Sequence, residues 1–380
     1  MAYGGQQMEE VAQCGAVSDT GCMLRAPFYD PTKSYYDNLE FGPFNGFVDG
    51  AVLSEEEPRF EFLGVKVAYP FGIPAGPLLD SKFIKGAFDK GFDVAVYKTV
   101  RANEFPCHPH PNVLAVHIDG DLTLEKAKIP LVADEDYREP LSITNSFGVP
   151  SRPSEAWLED AQKAAGYARK GQAMVMSFMG TVKEGQTADE FVADFAQAAA
   201  LAARTGAPIL EANLSCPNIG NEGLVCYNLF MTERVCEAIR AKIKKLPLIL
   251  KVGYYTNDAD IEQLAQIAKR YAHAISAINT ISAPIVNEKG EQALPGSPMR
   301  MRSGVCGHAI KWAGLDMTRR LAAVRAKTSG TWKIVGVGGV TVPQDFKEYR
   351  EAGADVVMSA TGAMWNPYLA KEIKDAYPDA

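Results

Sequence analysis

Pro208-Ile209-Leu210-Glu211-Ala212-Asn213-Leu214-Ser215-Cys216-Pro217-Asn218 is a short apolar run that breaks into two amides and a thiol within six residues. The run has the length and composition of a buried strand, so the polar stretch 213–218 falls at the strand's C-terminal end. In parallel α/β proteins that end carries the chemistry. Outward from it, similar runs recur near 70–75, 94–99, 173–179, 248–254, 275–281, 333–338 and 355–360. Helical patterns separate them. Thr187-Ala188-Asp189-Glu190 has capping-box spacing ahead of the apolar positions Phe191, Val192, Phe195 and Ala199. Thr341 to Gln344 repeats the box with Pro343 in the first turn, and Val235, Ile239 and Ile243 give a third helix its inner stripe. Strand and helix alternating in this way predict a parallel sheet with crossover helices, and eight strands predict a closed (β/α)8 TIM barrel. An open doubly wound sheet would need a GxGxxG turn after its first strand, which Ala75-Gly76-Pro77-Leu78 does not supply.

The chain has 380 residues, and such a barrel takes ~250. The surplus lies in excursions at 101–140, 141–153 and 282–308 and in the N-terminal segment. Residues 1–54, with Tyr35-Tyr36-Asp37-Asn38, read as an extension packed on a catalytic barrel of 55–380. Insertions after strands are where such barrels place binding loops.

A net charge of −7 and the lack of a basic stripe exclude a nucleic-acid surface. The seven cysteines, at 14, 22, 107, 216, 226, 236 and 306, include no CxxC pair. They read as reduced thiols of a cytoplasmic protein, with no iron-sulfur or zinc ligand set. The first fifty residues hold no apolar core of a signal peptide, and no membrane span is expected.

Gly336-Val337-Gly338-Gly339 and Ser359-Ala360-Thr361-Gly362 follow the last two strands. Loops at those places form the recurrent phosphate site of these barrels, because glycine lets backbone N–H groups converge on an anion. Lys98 and Lys251 end apolar runs, Val94 to Lys98 and Leu248 to Lys251, and call for an anionic partner in the barrel mouth. Asn145, Asn213, Asn218 and Asn279, the last followed by Thr280, bring amide donors and acceptors to strand ends. Converging amides suit a planar ring that presents carbonyl and N–H groups in alternation, such as a pyrimidine. Cys216 is the cysteine set among these groups, and as a base it would act through its thiolate. His108 and His110 alternate with prolines in an extended loop with no carboxylate cluster nearby in sequence, so no metal site is expected there.

Taken together, Asn213 to Asn218, Asn145-Ser146-Phe147-Gly148-Val149-Pro150, the Lys251 strand, Asn279-Thr280 and Gly338-Gly339 resemble dihydroorotate dehydrogenase over roughly residues 65–375. Cysteine at 216 is similar to the soluble class 1 enzymes, where the membrane-associated class 2 enzymes carry serine. The resemblance implies an FMN-containing barrel that oxidises dihydroorotate to orotate in pyrimidine biosynthesis. It implies that Cys216 takes the C5 proton while the C6 hydride passes to flavin N5. Asn145, Asn213, Asn218, Asn279 and Thr280 would hold the pyrimidine and its carboxylate, helped by backbone N–H groups around Gly148 and Val149. Lys251 would stabilise the anionic reduced flavin, with Lys98, Thr99 and Asn213 close by and Ala75 and Gly76 along its face. Cys306 and Gly307 match the Ser-Gly that ends a family loop, and Gly338, Gly339, Ala360 and Thr361 would bind the FMN phosphate. Departures at Phe147, at Ser151 and across Arg101 to Pro106 leave the oxidant and subclass open. Fumarate is the expected acceptor by elimination and a homodimer the expected assembly. Two rivals remain at this level. One is a dihydropyrimidine dehydrogenase-like flavoprotein acting on uracil or thymine, whose loop would read Pro-His where this chain has Pro217-Asn218. The other is a flavin-binding barrel without catalysis.

Overall fold

The computed structural model describes residues 24–53, 57–215, 223–296 and 301–379. Cys216 and Asn218 lie outside the described residues. Eight strands close a parallel barrel in sequence order. They are β1 (Phe71–Ile73), β2 (Val94–Val100), β3 (Ala173–Phe178), β4 (Ile209–Asn213), β5 (Leu248–Val252), β6 (Ala274–Ala277), β7 (Lys333–Val337) and β8 (Val356–Met358). Crossover helices α1 (Ser81–Asp89), α2 (Ser154–Ala165), α3 (Ala188–Ala202), α4 (Leu229–Ile243), α5 (Asp258–Tyr271), α6 (Lys311–Lys327) and α7 (Pro343–Glu351) join successive strands, and α8 (Leu369–Ala376) follows β8. The barrel predicted from the apolar runs is thus observed.

Period-two alternation divides the barrel interior into two levels. Val94, Val96, Val175, Ile209, Ile249, Val335 and Val356 fill the lower level. An antiparallel pair, Phe60–Phe62 with Val65–Val67, closes that end by packing Phe62 and Val67 against them. The same strands then turn polar: Lys98, Ser177, Glu211, Asn213, Lys251 and Ser276 are all buried toward the C-terminal ends. The apolar level supplies stability, at about 1.5–3 kcal/mol for each large aliphatic side chain buried. The polar level above it becomes the floor of a site.

Helix α3 starts as its sequence predicts: Thr187 Oγ1 accepts from Glu190 N–H, and the Glu190 carboxylate accepts from Thr187 N–H. The box expected at 341–344 differs. Pro343 opens α7, but Asp345 rather than Gln344 closes the box, accepting from the Thr341 and Val342 N–H groups and from Lys311 Nζ. A carboxylate has enough lone pairs for all three donors, and an amide oxygen does not.

The excursions are not loops. Val113–Val116, Leu131–Asp134, Ser142–Asn145, Ile281–Val286 and Arg302–Gly307 close into a second, five-stranded set. Inserted after β2 and β6, it stands over the C-terminal ends of the barrel strands. Residues 24–53 pack against the barrel: Phe28 lies edge-on to Phe83 of α1 with centroids 6.2 Å apart, Phe28 N–H donates to Met364 C=O, and Lys82 Nζ donates to the carbonyls of Leu39 and Glu40. No helix among the described residues is long and apolar enough to cross a membrane.

Candidate active site

A cavity of about 360 Å³ lies between the barrel mouth and the five-stranded set. It falls within the range of small-molecule and cofactor sites. Ala75, Gly76, Lys98, Thr99, Asn145, Gly148, Val149, Asn213, Lys251, Asn279, Thr280, Cys306, Ala360 and Thr361 line it. A narrow recess of about 30 Å³ shares the Asn279, Cys306, Ala360 and Thr361 walls and adds Gly307, Gly338 and Gly339. Every site residue expected from the sequence that is described therefore lines one or both of these adjacent spaces.

The two lysines come from opposite sides of the barrel. Lys98 is 7% exposed, with its ammonium 5.6 Å from the Tyr35 ring centroid and 5.5 Å from that of Phe147. Burial brings its pKa down to about 8; Cys107 works in the opposite sense and the Arg101 charge in the same sense. Burial pushes the Cys107 thiol up to about 11, which keeps it neutral beside that lysine. Lys251 is 3% exposed and donates to the Ala75 carbonyl at 3.4 Å. Below it lies Glu211, whose Oε1 accepts from Ser177 at 2.9 Å. Burial drives both groups toward neutrality, the carboxyl upward and the ammonium downward, while each favours the other's charged form. Ser177 and Thr99 hydroxyls meet at 2.9 Å, and Asn213 Nδ2 donates to Thr99 Oγ1 at 3.4 Å. A line of hydrogen bonds thus runs from the Asn213 amide on the wall to the buried acid.

The opposite wall comes from the insertions. Asn145 ends the strand Ser142–Asn145 and donates to Cys306 Sγ at 3.7 Å, and Thr361 Oγ1 donates to the same sulfur at 3.5 Å. Burial raises the Cys306 thiol pKa, with Thr361, Asn145 and Lys251 opposing it. Thr280 packs on Gly304, where a Cβ would come within 2.4 Å of the Thr280 hydroxyl.

The recess has the construction of an anion cradle. Gly339 has φ +69°, and a Cβ there would stand 2.6–2.8 Å from Lys311 Cβ, Cα and N, so only glycine fits. The Tyr349 hydroxyl fixes the loop by donating to the Gly338 carbonyl at 2.6 Å. These glycines and Thr361 would fit the phosphate of an FMN, and the buried Lys251 ammonium would fit the negative charge that its ring takes up on reduction. Among the described residues no group of three His, Cys, Asp or Glu side chains could hold a metal ion.

Several lining residues were not expected from the sequence. Tyr29 reaches the cavity from the N-terminal segment, its ring edge-on to Phe147 at 5.8 Å and its pKa raised chiefly by burial. Nothing in its local sequence signals this, because the contact depends on where the segment folds. His108 also lines the cavity, its Nδ1 3.1 Å from Ser146 Oγ. The alternating prolines that mark an extended loop were the available clue.

The family model described as dihydroorotate dehydrogenase matches residues 134–379. A dihydroorotate dehydrogenase of Dictyostelium discoideum is 37% identical over 366 residues, 91% of this chain and 96% of that one. The catalytic subunit of a dihydroorotate dehydrogenase B (NAD(+)) from Pelobacter propionicus is 29% identical over 241 residues, covering 62% of this chain and 71% of its own. A dihydroorotate dehydrogenase (quinone) of Clavibacter michiganensis is 24% identical over 322 residues, 82% of each chain.

Proposed function

The chain belongs to the dihydroorotate dehydrogenase family, and we propose that it oxidises dihydroorotate to orotate with FMN bound in the cavity and recess and Cys216 as the base. The observation that carries this reading is the adjacency of the two spaces: a glycine cradle suited to a phosphate shares the Asn279, Cys306, Ala360 and Thr361 walls with a chamber lined by amides and two buried lysines. A pyrimidine presents the alternating edge those amides match.

When bound, FMN supplies the two-electron acceptor that no side chain provides. The chain's own residues do the rest. Gly307, Gly338, Gly339, Ala360 and Thr361 hold the phosphate, and Ala75, Gly76, Thr99 and Asn213 border the ring. Lys251 balances negative charge on the ring from a site where low dielectric makes each charge count. Asn145, Asn213, Asn218, Asn279 and Thr280 hold the substrate ring, while Lys98 and the Gly148–Val149 backbone take its carboxylate. Cys216 removes the C5 proton, and Tyr29 and Phe147 help to close the cavity to water.

Fumarate is the proposed acceptor, with the enzyme a cytoplasmic homodimer. Photoreduced holoenzyme mixed anaerobically with fumarate, NAD and a quinone in turn tests the acceptor. Rapid return of flavin absorbance with fumarate is expected; return with NAD or the quinone alone would replace that assignment.

A further inference from the structure

Arg101 follows β2 and is 6% exposed. Its guanidinium donates to four oxygens in two other segments. Nε reaches Val149 C=O at 3.0 Å and Nη2 reaches Gly148 C=O at 3.1 Å, while Nη1 reaches Gly180 C=O at 3.1 Å and Thr181 Oγ1 at 3.0 Å. The Phe105 ring lies 4.0 Å from its Cζ. Its backbone is fixed as well: the N–H donates to Ser151 Oγ and the carbonyl accepts from the Trp157 indole, each at 3.1 Å. This is a preorganised planar fork, which a lysine's point charge does not reproduce.

What the fork holds is unusual backbone. Gly148 has φ +76° and Val149 has φ +52°. Positive φ is a genuine outlier for a β-branched residue and persists only where its surroundings enforce it. The His108 ring supplies enforcement on one side, since a Cβ on Gly148 would come within 2.2 Å of its Nε2. Arg101 supplies it on the other by taking both carbonyls. In a trans peptide the carbonyl and the following N–H point in opposite directions. Drawing the Gly148 carbonyl to Arg101 therefore turns the Val149 N–H the other way. Among the described residues that N–H has no hydrogen-bond acceptor, and Gly148 and Val149 both line the cavity.

We propose that Arg101 is a positioning residue for the oxidation: it locks the Gly148–Val149 turn in the left-handed conformation that offers the Val149 N–H to the carboxylate of the pyrimidine. This rests on the reading that loop 145–150 faces the substrate. Arg101 itself touches neither ligand nor reacting atoms.

The test compares holoenzymes of wild type, Arg101→Lys and Arg101→Lys/Val149→Gly. Orotate Kd is read from the flavin absorbance change, with flavin content and Tm measured alongside. Arg101→Lys is expected to keep its flavin and to bind orotate roughly 10- to 100-fold more weakly, the factor matching the strain of one such residue. Val149→Gly in that background is expected to restore much of the loss, because glycine holds positive φ unaided. A purely structural role for Arg101 predicts no such rescue. Orotate binding by Arg101→Lys equal to wild type, or a loss that Val149→Gly leaves unchanged, overturns the proposal. Should Arg101→Lys fail to fold, Thr181→Val removes one anchor and keeps the charge; a several-fold loss with the same rescue is expected, and unaltered affinity overturns it. Wild-type holoenzyme that does not bind orotate would overturn the substrate reading instead, and this inference with it.

Discussion

Replacing Gly339 with alanine probes the proposed phosphate cradle at its tightest point. The added methyl would stand 2.6 Å from Lys311 Cβ and 2.8 Å from its Cα and N, where α6 begins, so the glycine loop has to move rather than the helix. Alanine at φ +69° also pays about 1–2 kcal/mol for the left-handed conformation. Displacing one backbone N–H from an anionic acceptor forfeits about 1.5–3 kcal/mol. At 1.4 kcal/mol per decade, FMN affinity should fall roughly 10- to 100-fold. Gly290→Ala is the matched control: it has φ +78° with nothing within 4 Å, so it carries the conformational cost without the collision. The assay is reconstitution of apoprotein, following the quenching of FMN fluorescence, with Tm measured for both variants. Equal FMN affinity in Gly339→Ala and wild type would refute the assignment of the phosphate to this loop. Equal losses in the two variants would refute the steric argument.

Cys216→Ser should keep FMN and bind orotate, yet reduce flavin far more slowly near neutral pH, since a hydroxyl is a far weaker acid than a thiol and its basic form is scarcely populated there; stopped-flow reduction at the wild-type rate would remove Cys216 from the chemistry. The Lys98 pKa of about 8 implies that orotate binding weakens as pH rises through that value, where the ammonium is lost, and that Lys98→Met flattens the profile. For apoprotein stability the sign is opposite: between about 8 and 10.5 the unfolded chain binds the proton that the folded one does not, so stability should climb across that window, by on the order of 3 kcal/mol. Phe62→Ala, at the far end of the barrel, should cost about 3–5 kcal/mol in denaturant unfolding and leave FMN affinity unchanged.

The barrel was legible because its strands are apolar on both faces and its helices carry their own start signals. The site was legible because strand ends collect the polar residues, so Lys98, Asn213, Lys251 and Asn279 could be placed before any contact was known. The five-stranded set was not. Its strands are short, and they pair across long separations, Val113 with Asn145 and Ile285 with Leu131, so no local pattern announces them. Tyr29 and Tyr35 depend in the same way on a segment returning over the mouth. Asp345 shows a finer limit: spacing pointed to Gln344, and the count of donors to be satisfied decided for the carboxylate.

The chamber is proposed to hold flavin and a carboxylated dihydropyrimidine together. Anaerobic titration of the holoenzyme tests it most directly. Dihydroorotate should bleach the flavin absorbance stoichiometrically while dihydrouracil leaves it unchanged. Flavin that stays oxidised with dihydroorotate, or that dihydrouracil bleaches equally well, would contradict the account.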